Sequence, residues 1–209
     1  MSNPHEKLIA GAAKEILGPL GFHRKGHSRT WIADHGWWLN VVEFQPSGWA
    51  KGSYLNVAAH WLWIEQDYLS FDYCGRVESF SKYTSDMHFQ PEASRLAQTA
   101  AKEAHELGQT FDSIEAAAMV LCAKERDLPQ QARGGWSAYH AGMALGLSGR
   151  LCDAATLFHS VRDDRVQPVV ARVEKLLADP VEFRREVGDL IDAHRRALGL
   201  SPHLMSIKP

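Results

Sequence analysis

The apolar positions of this chain keep three successive rhythms. Leu8, Ile9, Ala12, Ala13, Ile16 and Leu17 recur at helical spacing. Asn3 as a cap, Pro4 at the first helical position and Gly18-Pro19 as a stop frame a helix over Pro4–Leu17. A period of two follows. Phe22–Ala33, Trp37–Gln45 and Ser53–Glu65 read as strands, separated by the turn Asp34-His35-Gly36 and by a loop around Pro46-Ser47-Gly48. In the third of these, Leu55, Val57, Ala59, Trp61 and Trp63 alternate with Tyr54, Asn56, Ala58 and His60, which predicts one core face and one wetter face. Residues 67–90 mix aromatics with Ser, Asp and Gly and predict a loop with room for one more short strand or helix.

Helical spacing returns at Pro91 and persists. It predicts helices over Pro91–Leu107, Phe111–Arg126, Trp136–Leu147, Leu151–Val161, Pro168–Leu177 and Pro180–Leu198, with Thr110 as a cap and Gly108 and Gly199 as stops. The tail from Ser201 is expected to be mobile. The fold class is therefore α+β. An N-terminal helix lies on a three- to four-stranded antiparallel sheet, and an all-α helical bundle follows. The expected division is residues 1–90 and 91–209, either as separate units or packed as one body.

Composition narrows the class further. Hydrophobic residues make up 45% of the 209 residues and charged residues 23%, which suits a folded globular chain. A net charge of −2 offers no global attraction to nucleic acid or an anionic membrane. Cys74, Cys122 and Cys152 are widely spaced and odd in number, which argues against a disulfide framework or zinc ribbon and for a reducing, cytoplasmic setting. The first residues lack a secretory pattern, and no apolar run approaches a membrane span. Six of the seven tryptophans fall between Trp31 and Trp63.

Two resemblances add to this. Leu20-Gly21-Phe22, Lys25-Gly26, Trp31, Val41-Val42, Phe44-Gln45, Ser47, Trp49, Gly52 and Leu55-Asn56-Val57 follow one another as in a bacterial domain of unknown function family, numbered 4304. The chain resembles that family over its first third. The resemblance implies a helix followed by strands and supplies no mechanism. Residues 136–161 resemble a single tetratricopeptide-type helix pair, with Gly142, Gly149, Ala154 and Phe158 at its small, turn, small and aromatic positions.

Candidate chemistry is sparse. His23, Lys25, His27 and Arg29 would share one face of a strand and grip an anion, with Trp31 and Trp37 as stacking surfaces; the competing explanation is an edge strand kept soluble by charge. His23, His27, His35 and His60 lack metal-ligand spacing, so no metal and no cofactor is expected. Gln45-x-Ser47-x-Trp49 leaves the second strand in a loop held by Pro46 and Gly48, where binding residues are often carried. The ligand-binding candidates are Gln45, Ser47, Trp49, Trp37, His60, Lys25 and Arg29, and no catalytic residue is named.

The reading is a non-enzymatic binding or protein-interaction module. Its expected partners are a protein or a small anionic ligand, with nucleic acid disfavoured and no membrane. One alternative is a hydrolase or transferase using Glu43, His60 and Ser47 in a pocket between sheet and helices. The other is single-stranded nucleic-acid binding on the basic, aromatic strand.

Overall fold

A computed structural model describes residues 3–202. It is an α+β structure with an N-terminal helix, a five-stranded antiparallel sheet and several further helices. The chain divides into two compact units. Among the described residues, one comprises 3–62 and 66–108; the other comprises 63–65 and 109–202. The expected tail beyond residue 202 lies outside the described residues.

In the first unit, α1 spans Pro4–Leu17 as expected, with Pro4 in its first turn; the Asn3 side chain makes no capping bond, and Gly18–Leu20 follows as a 3-10 turn. The sheet is a meander of β1 (His23–Arg24), β2 (Thr30–Asp34), β3 (Trp38–Gln45), β4 (Gly52–Trp61) and β5 (Tyr73–Lys82), in chain order. Five strands replace the expected three to four. The strand expected over Phe22–Ala33 is two strands joined by a tight turn. Ser28 N–H donates to Lys25 O, and Lys25 N–H donates to Thr30 O at 2.9 Å. Gly26 turns the chain at φ +56°, a conformation its lack of a Cβ permits. The extra strand, β5, comes from the stretch that shows no period.

Register fixes two faces. Trp31, Trp38, Asn40, Val42, Phe44, Leu55, Val57 and Trp61 share one, because each pairs directly across its neighbour. On this side the Asn40 Nδ2 donates to the Ala104 carbonyl of α2 (Asp86–Thr110) at 2.7 Å. The opposite face carries Ile32, Leu39, Val41, Ala58 and His60, all buried as well. The wetter face expected along β4 is therefore confined to its first residues, around Tyr54, and Trp63 lies beyond the strand. Residue 90 falls inside α2, which starts five residues before Pro91 because Ser85 opens it: Phe89 N–H donates to Ser85 O. Phe89, fully buried, anchors that first turn.

The second unit is helical, with α3 (Ile114–Asp127), α4 (Trp136–Leu147), α5 (Leu151–His159), α6 (Gln167–Glu174) and α7 (Pro180–Ala197). Ser113, not Thr110, caps α3, accepting from Ala116 N–H. Every residue of α4 from Ala138 to Leu147 is buried, the mark of a helix surrounded by others. Two glycines make that possible. A Cβ on Gly142 would overlap the Phe158 ring of α5, and one on Gly146 would come within 2.5 Å of the Phe183 ring of α7. Residues 63–65 belong to this unit: the Trp63 indole donates to His140 Nδ1 at 3.1 Å, and Tyr139 Oη donates to Trp63 O at 3.0 Å.

Phe158→Ala is expected to cost about 3–5 kcal/mol by opening a cavity, and Gly142→Ala about 1–3 kcal/mol by overpacking. Pairing Gly142→Ala with Phe158→Leu makes room for the added methyl, so urea denaturation should show the double variant less destabilised than the two single changes added together.

Candidate ligand-binding site

Three of the sequence candidates converge on one concavity of the first unit. Arg29, Ser47 and Trp49 line a hollow of about 400 Å³ together with Asn3, His5 and Glu6 of the α1 start and with Lys51 and Gly52 of β4 and its approach. Arg29 organises it. One of its guanidinium nitrogens donates to Glu6 Oε1 at 2.6 Å and stands 3.3 Å from His5 Nε2; another donates to Gly52 O at 3.4 Å. A single cation thus ties the helix start to β2 and to the start of β4. Gly52 is required for this approach, since it holds φ +144° and a Cβ there would strike Ser81 O and the Phe80 ring.

The charge state of the cluster follows from its donors. A guanidinium can only donate, so His5 Nε2 accepts and the imidazole is neutral with its proton on Nδ1. Burial, and then the adjacent Arg29 charge, push the His5 pKa below its ordinary value. His5 is 3% exposed, its ring lies against Tyr83 and Phe89, and its Nδ1 has no hydrogen-bond partner among the described residues. The Glu6 carboxyl is held low chiefly by its bond from Arg29, with further bonds from Asn3. With Arg29 neutralised by Glu6, the remaining charge of the hollow is the exposed Lys51 and the positive end of the α1 dipole.

The rim is apolar. Trp49 N–H donates to Ser47 Oγ at 3.1 Å, a local turn that spends the serine hydroxyl on shaping the loop. The Trp49 ring itself is 98% exposed. Gln45 stands just before this loop but belongs to a different network. Its Oε1 accepts from Arg76 at 2.6 Å and from Asn56 at 3.1 Å. Asn56 also donates to Glu43 Oε2 at 2.8 Å, and the Arg76 guanidinium lies 4.0 Å above the Tyr54 ring. These side chains satisfy one another across β3, β4 and β5.

The remaining candidates lie elsewhere. Lys25 sits in the β1–β2 turn, where Arg24 bonds the carbonyls of His27 and Ser28. No continuous strand carries His23, Lys25, His27 and Arg29, so the basic face expected there does not form. Trp37 and His60 lie toward the opposite end of the sheet from Gln45, Trp37 eight residues or about 26 Å away along β3 and His60, paired with Leu39, six residues or about 20 Å away. Trp37 stacks on Trp61 with centroids 5.7 Å apart.

His60 is fully buried and meets Ser70 and Asp72, which invites comparison with a nucleophile–base–acid relay. Such a relay needs the acid on one ring nitrogen and the nucleophile on the other. Here Ser70 Oγ at 2.9 Å and Asp72 Oδ2 at 3.4 Å both approach Nδ1, and Ser70 N–H donates to that same atom. Gln66 holds the Ser70 hydroxyl at 2.9 Å. This is how a loop is pinned over a strand. Glu43 and His60 share a sheet face but are separated by four residue pairs, about 13 Å, and Ser47 lies beyond the strand end. The three residues of the hydrolase alternative are therefore not assembled. Among the described residues no group of three or more His, Cys, Asp or Glu side chains is placed to hold a metal ion, and no helix is long and apolar enough to cross a membrane.

No family model, curated protein or solved structure matches this chain. The geometry stands by itself.

The cluster of His5, Glu6 and Arg29 makes stability fall with acid in two windows. Below His5's ordinary 6.5 the unfolded chain takes up a proton that the folded chain resists, and below Glu6's ordinary 4.5 the same holds for the carboxyl. His5→Gln should flatten the upper window. Glu6→Gln should cost about 1 kcal/mol at pH 7 and flatten the lower one. Chemical denaturation between pH 3 and 8 checks both.

Proposed function

We propose that this chain is a non-enzymatic interaction protein, and that the Pro46–Trp49 loop with the hollow beside it engages an acidic surface of a protein partner. The observation that carries this is Trp49, 98% exposed at the edge of a hollow whose uncompensated charge is positive. A tryptophan ring presents on the order of 150–250 Å² of surface, and leaving it in water forgoes the burial that makes the residue stabilising. Exposed aromatics of this kind anchor interfaces. A small molecule within about 400 Å³ would touch one edge of a ring that stands clear of the surface; an opposing protein surface can cover it.

An acidic partner fits the electrostatics. Lys51 and the α1 dipole attract a carboxylate, while Glu6 is already matched to Arg29. The hydrolase reading finds no support in the placement of Glu43, His60 and Ser47. The nucleic-acid reading loses its motivating feature with the basic strand. The resemblance to the family numbered 4304 is compatible with this reading and adds no activity to it.

Trp49→Ala should leave folding stability within about 0.5 kcal/mol and weaken partner binding by about 2 kcal/mol, roughly 30-fold. Affinity capture from native extract with the wild type, Trp49→Ala, Lys51→Glu and the remote control Met119→Ala is the test. A partner retained by the wild type and the control but lost by the first two supports the proposal. Identical capture by all four, or none by the wild type with the purified protein monomeric, rejects it. Iodide should quench Trp49 fluorescence in the free protein, and a bound partner should shield it.

A further inference from the structure

A second hollow lies farther along α1, on a different side from the Arg29 cluster. The C-terminal half of α1 and the β1–β2 hairpin enclose a groove of about 660 Å³. Its floor is Phe22 and Trp31, 8% and 6% exposed; its wall is Gly11 and Gly18; its rim carries Lys14 and Arg24.

Gly11 is the telling residue. It is exposed, sits mid-helix, and has ordinary helical backbone. A Cβ there would meet nothing within 4 Å, so neither packing nor conformation requires glycine. An interior helical glycine is less stable than alanine at the same place. What its missing side chain does provide is depth beside Trp31. Gly18, one heptad later, also faces open space. Together they leave a shallow channel along α1 into which the crest of another helix can settle closely.

The surroundings select its charge. Between Lys7 and Ala33 the chain has five basic residues and one acidic one, within a protein of net charge −2. Arg29 is spent on Glu6, but Lys14 and Arg24 both line the groove, and among the described residues no acidic one does. Lys7 lies two turns before Lys14 on the same flank of the helix. An apolar channel bordered by cations matches an apolar stripe bordered by carboxylates.

We infer that this groove docks an acidic amphipathic helix of a protein partner. The groove is independent of the Trp49 surface, so each can fail without the other.

The probe is a fluorescein-labelled peptide with leucines at helical i, i+3 and i+7 positions and glutamates between them, followed by anisotropy with the full chain. Wild type should bind it. Gly11→Leu, whose Cβ would meet nothing within 4 Å and whose side chain would intrude on the groove, should raise the unfolding temperature yet weaken binding at least about tenfold. Lys14→Glu should weaken it similarly, and a peptide with lysines in place of glutamates should recover affinity for that variant. Trp49→Ala should leave it unchanged. Absence of wild-type binding up to about 0.2 mM peptide overturns the inference, as does affinity that neither Gly11→Leu nor Lys14→Glu alters. Decanoate binding that is lost in Gly11→Leu, with no peptide binding, would assign the groove to a small amphiphile instead and also overturn it.

Discussion

Burial of β3 and β4 on both faces is the constraint that shapes the first unit. Trp38 through Val42 and Leu55 through Trp61 are buried without a break. A strand in that position has no solvent-facing side on which to place polar groups, so each polar residue along it needs a protein partner. Asn40 finds the Ala104 carbonyl, and His60 finds the Ser70 backbone. Polar chemistry that does not pair in this way is driven to the strand ends. The Pro46–Trp49 loop, the β1–β2 turn and the α1 start lie at such ends, and the two hollows are found there.

Arg29 shows how the constraint and the site are connected. It lies immediately before β2, where the sheet ceases to be covered, and its guanidinium joins three segments that share no sequence neighbourhood. The partly buried ion pair with Glu6 adds little stability as an isolated attraction. Its larger effect is geometric, because a planar cation with several fixed donors sets the helix start against the β4 approach. The hollow beside Trp49 keeps its shape for that reason.

Helices were the most legible elements. Pro4–Leu17 and Trp136–Leu147 have the bounds that their apolar spacing and flanking prolines and glycines imply. The helix pair of Gly142 and Phe158 packs through the small-against-aromatic contact that their spacing implies. Two kinds of error remain. Where burial is two-sided, as at Ala58 and His60, alternation carries no information on exposure, and the face expected to be wet is dry. Where a turn is made of polar residues, as at Gly26-His27-Ser28, a run of alternating charges imitates a strand. Pro91 misplaced the start of α2 because Phe89 anchors an earlier turn that propensity alone disfavours.

The site was half legible for a related reason. Ser47 and Trp49 announce themselves through loop composition, and Arg29 through charge. His5 and Glu6 do not, since nothing in the order of residues relates position 5 to position 29. One signal was available: His5 falls four and seven residues before Ile9 and Ala12, on the buried stripe of α1. A histidine on such a stripe must be neutral or paired, and beside a guanidinium it must be neutral. An unpaired Nδ1–H in that position is a cost of about 1–3 kcal/mol that a wholly structural design would avoid with an aliphatic residue. The imidazole does what an aliphatic side chain cannot: it accepts from Arg29 while it is unprotonated, which couples that one contact to pH.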